Sequence, residues 1–577
     1  MIILGLNIFH ADTSASLIID GKIISAIEEE RFNKIKHYAG LPFNAINYCL
    51  DSANINISDV DIIAVNYNSK YNFLNKLFFA IKNINFSTIE KIISIKRKLS
   101  VKSILQKNFS KTIYAKIVFV PHHISHISSS YFLSGLNNAI GLTVDGSGDF
   151  STSESFILKN RSINLIDKTL YPHSLGIFYQ TFTQFLGFKN YGDEYKFMGL
   201  SSYGSPIYVN RIKKVLKYDI KGNFKLNLDF FTHHRSTLNF QFEDGKPFFT
   251  NFFNGKFLEL FGPELLINQK ITQYHKDLAA SVQKVFEEVI INKIIYLKNK
   301  YNNTNLVLSG GCFFNSTLNG KIHDLGIFQN ISISPFVGDA GGGLGASLYI
   351  SRNDMKFKNV SLENSYLGSK FSDETIRLEV IENYQLKNST TVYYKHFKSD
   401  EELTYEIAKN IKDNKIIAWF QGSSEFGPRA LGNRSFFANP MNPNIKNIIN
   451  EKIKKRELFR PFAPVIIEEN YKEYFYQNFP SPFMCFVFRA KEKAKKEVPS
   501  VVHVDGTSRV QTMNIKQNPK VYKLLCQFKK LTGTPILLNT SLNINEPINN
   551  DPVSAYETFT KSNVDILVLH NYVFFKK

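Results

Sequence analysis

His122, His126 and Asp145 are the residues whose types and spacing first point to chemistry. They lie in VFVPHHISHISSSYFLSGLNNAIGLTVDGSGDF, residues 118–150. A short apolar strand ends at Pro121 and a small-residue helical pattern follows. A second apolar strand then delivers Asp145 into the turn Asp145-Gly146-Ser147-Gly148-Asp149. With residues 122–132 helical, His122 and His126 stand one turn apart on one face, where two imidazoles can hold one ion. Asp145, at a strand end, offers a hard third ligand. The same spacing also suits histidines satisfied by backbone carbonyls. The sequence His122-His123-Ile124-Ser125-His126 lacks the Glu that a zinc protease places between its histidines. The glycine turn one strand downstream favours the metal, because a cation beside phosphate-binding amides is nucleotide chemistry.

These side chains need a scaffold that brings separate turns together, and the chain repeats one plan. Residues 2–8 read as a buried strand, followed by the polar turn His10-Ala11-Asp12-Thr13-Ser14. Strands at 15–20 and 22–28 follow, joined at Asp20-Gly21, a strong hairpin signal. The plan recurs at 139–144, the glycine turn, 154–159, Asn160-Arg161 and 162–167, about 140 residues on. Two such units facing across a cleft are the layout of the actin, hexokinase and heat-shock ATPase superfamily, an α/β fold. That likeness calls for a strand ending in paired glycines, where no side chain keeps the backbone from the adenosine. Residues 305–311 supply it, ending Ser309-Gly310-Gly311 after an amphipathic helix over 274–300. Beyond it, Asp339 precedes Ala340-Gly341-Gly342-Gly343, suiting an acidic ligand at a helix N-terminus whose amides also hold an anion.

Composition turns polar and non-periodic over 352–366, which marks a domain boundary. The expected division is 1–355, a linker at 356–368, and 369–577. In the second part arginines sit beside Gly and Pro in loops, at 427–435, 456–464 and 503–509, rather than on helix faces. Guanidinium forks bind phosphate or carboxylate bidentately, so several converging would grip a small dianion. Each arginine taken singly also has a structural reading, paired with an acid.

The bulk numbers set bounds. At 577 residues there is length for two or more domains, and 43% hydrophobic with 21% charged residues is ordinary for a globular enzyme. The balance of 70 Lys+Arg against 50 Asp+Glu, a formal +20, is not ordinary and attracts anionic partners. Much of the excess lies over 70–116, where Lys91, Lys96, Arg97, Lys98, Lys102, Lys107 and Lys111 recur with Glu90 the only acid. This stretch reads as one or two amphipathic helices with a solvated basic face, the alternative being a polyanion or membrane contact. Four scattered cysteines without a CxxC pair favour a reduced, cytoplasmic chain. The N-terminus reads as a strand rather than a signal peptide, and no apolar run reaches transmembrane length.

The chain resembles the O-carbamoyltransferases of the NodU/CmcH type, over nearly its whole length. The marks are His10 to Ala15, Glu28-Glu29-Glu30-Arg31-Phe32, His122 to His126, Asp193-Glu194-Tyr195-Lys196-Phe197-Met198-Gly199-Leu200, Ser309-Gly310-Gly311 and Gly338-Asp339-Ala340-Gly341. They continue with Gly427 to Gly432, Arg460-Pro461-Phe462-Ala463-Pro464, His503-Val504-Asp505-Gly506-Thr507 and Asn539-Thr540-Ser541. The resemblance implies an N-terminal actin-like, ribonuclease-H-type duplicated domain similar to the tRNA threonylcarbamoyltransferase, and a YrdC-like α/β C-terminal domain. It implies that carbamoyl phosphate loses its phosphate in the second domain. In the first, ATP with Mg converts the carbamate to carbamoyl adenylate, which a substrate hydroxyl attacks.

Residue by residue, it puts one divalent metal, Fe, Mn or Zn, on His122, His126, Asp145 and Asp339. His10 becomes the expected general base or phosphate-contacting group near the acceptor hydroxyl. Asp12, Ser14, Lys36, Gly146, Lys196, Gly310, Gly311 and Asn315 fall to ATP. Arg429, Lys454, Arg460 and Arg509 would clamp carbamoyl phosphate, with Asn539 and Ser541 as polar contacts. Phe313 and Phe314 stand where the family has smaller residues, and Leu542 where Phe is common. The expected acceptor is a small-molecule or glycan hydroxyl. Nucleic acid is not expected as a partner, a surface contact is allowed at 70–116, and homodimerisation stays open. The alternatives are a tRNA-modifying carbamoyl-adenylate enzyme and an actin-like ATPase scaffold.

Overall fold

The computed structural model describes residues 1–82, 100–235, 240–241, 245–266, 269–385 and 392–576. The chain divides into two compact units, Met1–Leu362 and Glu363–Lys577. Both are mixed α/β.

In the first unit, one five-stranded sheet runs in the order Lys22–Glu28, Ser14–Ile19, Ile2–Asn7, Ile62–Val65, Lys116–Phe119. The first three strands form an antiparallel meander, with Ile2 opposite Ile19 and Ser14 opposite Glu28. The last two join in parallel, as strands fed by crossover connections do. A second sheet repeats the plan. Ser162–Leu170, Ser151–Lys159 and Asn138–Gly148 form the meander, and Asn305–Ser309 and Asn330–Ile333 add in parallel. The internal repeat legible in the sequence is therefore a duplication, strand for strand. The central strand Ile2–Asn7 is buried from Ile3 onward, as its unbroken apolar run requires.

Two helices lie against these sheets and carry the candidate site, His122–Tyr131 and Ala340–Ser351. Past the glycine run and Leu344, Gly345 has a packing reason: a Cβ there would lie 1.9 Å from Ser125 O of the neighbouring helix. Small residues let the two helices approach to that distance.

The second unit is built on an eight-stranded mixed sheet. Its order is Val392–His396, Tyr572–Lys576, Ile566–Leu569, Ile417–Phe420, Arg434–Ala438, Ile536–Ser541, Ala463–Ile467, Gln511–Met513. Helices Asp400–Lys412 and Pro519–Thr532 pack together and bury Leu403, Ile407, Leu524 and Phe528 with Trp419. The first is signalled at both ends. Ser399 accepts from Glu402 N, acids fill the first turn, and Lys409 and Lys412 sit in the last.

Of the loop arginines, Arg434 is structural. It is fully buried, donates to Gln421 O (2.6 Å), Asn433 O (3.0 Å), Ser369 O (2.9 Å) and Gly422 O (3.2 Å), and lies 3.6 Å above the Phe420 ring. Arg434→Ala would take the guanidinium from Gln421 O and Gly422 O, while Asn433 O and Ser369 O keep the backbone N–H groups of Gln421 and Ser424. We expect it to lower the unfolding free energy by about 3 kcal/mol, read from urea denaturation.

Within the basic stretch, helices Phe73–Lys82 and Val101–Phe109 are present. Glu90, Lys91, Lys96, Arg97 and Lys98 lie outside the described residues. Among the described residues no helix is long and apolar enough to cross a membrane.

Candidate active site

Three elements converge on one point in the first unit. The helix His122–Tyr131 supplies two imidazoles, the strand Asn138–Gly148 supplies Asp145, and Asp339 stands immediately before the helix Ala340–Ser351. His126 Nε2 lies 2.8 Å from Asp145 Oδ2, 3.4 Å from Asp339 Oδ1 and 2.9 Å from His122 Nε2. His122 Nε2 is 3.5 Å from each of the same two carboxylate oxygens. One ligand atom from each of the four residues falls within 4.8 Å of the others.

Asp339 makes no capping bond to its own helix. Its Oδ1 is buried without a hydrogen bond of good geometry and faces the imidazoles. Two imidazole nitrogens and two carboxylate oxygens are a donor set for a divalent transition metal, so these residues fit one.

The electrostatics agree. Burial pulls His126 down, but its contacts with Asp145 and Asp339 outweigh that and raise it to about 10. His122 goes the other way, to about 4, through burial and the neighbouring His126 charge. Burial pushes both carboxyls up, as does their mutual repulsion at Asp145. The imidazoles, and His10 for Asp339, leave both below the ordinary carboxylate range. The cluster thus holds its carboxylates ionised in a buried place, a cost that a cation offsets.

Gly148 is what lets the turn pass beside the imidazoles. A Cβ there would lie 2.0 Å from the His122 ring. Gly148→Ala is expected to displace His122 and cut bound metal by about tenfold or more, measured by elemental analysis of protein with an unchanged circular dichroism spectrum. His123 stands apart from this cluster, its Nδ1 2.8 Å from Thr143 Oγ1.

His10 flanks the cluster, with Nδ1 2.9 Å from Asp339 Oδ2 and its ring 6.1 Å from that of His122. Both line one pocket with Asn7, Asn66, Ser147 and Asp149. Of the residues expected at ATP, Gly146 bonds through its N–H to Asp145 Oδ1 (2.7 Å). Gly310 ends the strand beside Val144, and a Cβ on Gly311 would lie 3.2 Å from Asp145 Oδ1. Asp12 adopts φ 57° and pairs with His37 (2.7 Å). Lys36 is exposed. Lys196 pairs with Asp193 (2.8 Å).

Ser14 and Asn315 are likewise engaged within the protein. Ser14 Oγ donates to Ala340 O (2.6 Å). Asn315 caps the helix Ser316–Asp324 through Leu318 N and pairs with Gln283.

Residues that sequence reasoning missed complete the surroundings. Tyr191 OH donates to Asp339 Oδ2 (3.4 Å), and Ser174 Oγ donates to Asp145 O (3.1 Å) and Gly146 O (2.7 Å). His37, raised by Asp12 against burial, forms a second group with Asp12 and Glu30. Burial lifts nearby Glu194 to about 7. No spacing in a single sequence ties these positions to the cluster.

The second unit brings its basic residues onto strand ends and loops. Lys454, 1% exposed, donates to Ser541 O (2.5 Å), Asn543 O (2.7 Å) and Asn543 Oδ1 (2.8 Å). Asn539 Nδ2 donates to Gln511 Oε1 (2.9 Å) and Ala430 O (3.2 Å), and its Oδ1 is buried without a hydrogen bond. Arg460 pairs with Glu457 (3.2 Å). Arg429 Nη1 lies 3.4 Å from Cys485 Sγ. Arg509 is pulled down to about 10, first by burial and then by the charge of Arg429. The loop carrying Arg429 is shaped by buried Glu425, whose Oε1 accepts from Leu431 N (2.7 Å), Asn433 N (2.8 Å) and Arg434 N (3.3 Å). Gln511, Asn543 and Glu425 were not anticipated from the sequence.

Fold and site together define a two-part α/β enzyme with a candidate metal centre in its first unit. The chain belongs to the carbamoyltransferase family. The family's N-terminal model, Carbamoyltransferase N-terminus, matches residues 2–348, and Carbamoyltransferase C-terminus matches 408–576. The family resemblance stated from the sequence is borne out, and the chain is an enzyme of that type.

It is similar to nodulation protein NolNO of Sinorhizobium fredii, 34% identical over 99% of this chain and 80% of that one. An uncharacterised protein of Synechocystis is 34% identical over 100% and 96%. One from Methanocaldococcus jannaschii is 30% identical over 100% and 99%. Among solved structures, the (R)-2-hydroxyglutaryl-CoA dehydratase component A of Acidaminococcus fermentans is 12% identical over 61% of this chain and 99% of that one, with a TM-score of 0.32. HypF of T. kodakarensis is also 12% identical, over 62% and 49%, with a TM-score of 0.30. Scores this low carry no inference.

Proposed function

We propose that this carbamoyltransferase uses carbamoyl phosphate and ATP to carbamoylate a hydroxyl of a sugar or natural-product acceptor. In this reading the second unit is the YrdC-like domain of the family, where carbamoyl phosphate is hydrolysed to carbamate and phosphate. Carbamate and ATP then give carbamoyl adenylate and pyrophosphate in the first unit, and the acceptor oxygen displaces AMP. Carbamate is a poor electrophile, and adenylation provides the leaving group it lacks.

The observation that supports the donor site is Arg429 Nη1, 3.4 Å from the buried Cys485 Sγ, a thiol on which the charge of Arg509 also bears, so that both guanidinium groups surround one buried place. Like charges are assembled that way where an anion is to be gripped. Lys454, Asn539 and Ser541 would complete the contacts.

In the first unit, His122, His126, Asp145 and Asp339 would hold the divalent metal, which when bound supplies Lewis-acid stabilisation to phosphate and carbonyl oxygens. Asp339 holds His10 at Nδ1, which leaves Nε2 to take the proton of the incoming hydroxyl. The nucleotide phosphates would lie against the glycine turn at Asp145–Asp149 and the backbone of Gly310 and Gly311.

The test is incubation of the full chain with carbamoyl phosphate, ATP and a panel of hydroxylated sugars and natural products, followed by mass spectrometry. A carbamoylated product together with carbamoyl-phosphate-dependent pyrophosphate release supports the reading. Carbamoylation of tRNA instead, or ATP hydrolysis indifferent to carbamoyl phosphate, would overturn it.

A further inference from the structure

Among the described residues, the helix Phe73–Lys82 is docked through the face that carries Phe79. Asn72, just before it, donates through Nδ2 to Asp149 O (3.1 Å) and Ser151 Oγ (2.9 Å). Phe79 packs edge-on against Phe150 and Tyr171, with centroids 5.4 and 5.5 Å away. Lys76 Nζ folds back to Ser69 O (3.1 Å). Helical spacing puts Phe73, Leu74, Leu77, Phe78 and Ile81 together on the opposite face. There they are 58%, 66%, 46%, 70% and 61% exposed. Single exposed apolar residues are common, but five large ones on one helix face form a contiguous patch, which marks an interaction surface.

The charge of the sequence that carries this patch selects its partner. Among the described residues from Lys70 to Lys116 there are seven Lys and no Asp or Glu. Two copies of so basic a segment would repel each other across a shared interface. A nucleic acid would answer the lysines but leave the phenylalanine, leucine and isoleucine side chains in water. A bilayer with anionic headgroups satisfies both, because an apolar stripe enters the acyl boundary while lysines meet the headgroups.

We infer that Phe73–Lys82 is an interfacial anchor that lays its exposed apolar face into the surface of an anionic membrane. Asn72 fastens this helix to Asp149 and Ser151, at the end of the turn that begins with Asp145. Gly148 and Asp149 line the pocket beside His10. Docking would therefore hold the pocket within one turn of the surface-bound helix.

The experiment is sedimentation of the full chain with vesicles of phosphatidylcholine alone or mixed with phosphatidylglycerol. At low salt the anionic vesicles are expected to carry down about tenfold more protein than the neutral ones, and added salt should reverse much of this. Leu74→Glu/Phe78→Glu should bring binding to the neutral-vesicle level. Its thermal midpoint and its carbamoyl transfer to a soluble acceptor should be unchanged, since both side chains already face solvent. The inference is overturned if neither vesicle binds, if both bind alike, or if the double variant binds like the parent chain. It is also overturned if duplex DNA or RNA is retained equally by both proteins while vesicles are not, or if the parent chain is a dimer that the variant dissolves.

Discussion

The His122→Ala/His126→Ala protein is expected to purify without its divalent metal and to lose about a thousandfold in carbamoyl transfer. Both imidazoles sit on one helix turn with Nε2 atoms 2.9 Å apart, and between them they touch both carboxylates of the cluster. Removing them leaves Asp145 and Asp339 facing each other in a buried place, where one carboxyl takes up a proton and a two-oxygen site remains. Lewis-acid stabilisation is worth several kcal/mol in a group transfer, and each 1.36 kcal/mol is tenfold in rate, so a loss of about 10³ follows. Elemental analysis and a transfer assay on the same preparation check it. Unchanged metal content in the double variant would sink the ligand assignment, whatever the activity does.

Arg509→Ala is expected to abolish carbamoyl-phosphate-dependent pyrophosphate release while leaving ATP binding by the first unit intact. Arg509 is buried within the influence of the Arg429 charge, a cost that an anion held by both would offset. Each hydrogen bond to a charged group is worth about 1.5–3 kcal/mol, so a lost two-pronged contact lowers donor affinity by about a hundredfold or more. Arg509→Lys should not restore it, because an ammonium keeps the charge but not the fork. Arg429→Ala should behave similarly and also release Arg509 from the depressing charge. Full activity in either variant would place the anion site elsewhere. Titration calorimetry with carbamoyl phosphate and with ATP separates the two binding events.

Much of the first unit was legible from residue order. Apolar runs broken by polar turns, Asp20-Gly21 and Asn160-Arg161 announced one strand plan used twice, and the structure has it as the meanders of two sheets. The HxxxH spacing announced a helix face, which is the helix His122–Tyr131. Asp339 and the glycines after it were read for an anion at a helix N-terminus, and the structure adds a close approach of Gly345 to Ser125 O of the neighbouring helix, which no window of sequence contains. Arginine by composition was equally ambiguous. Arg434 and Arg429 lie close in sequence, yet the first is bonded to four carbonyls in the core and the second lies 3.4 Å from Cys485 Sγ.

By itself, then, the chain's order of residues determined the local elements, the repeat and the chemical types available, since periodicity, turn residues and side-chain chemistry are properties of neighbours along the backbone. Which groups meet was decided only by the tertiary structure. Asp145 reaches His126 across a sheet and a helix, Tyr191 reaches Asp339 over 148 positions, and Lys454 reaches Asn543 over 89. Contacts at such separation follow from how layers pack, a global balance of burial and excluded volume that no short window of sequence contains.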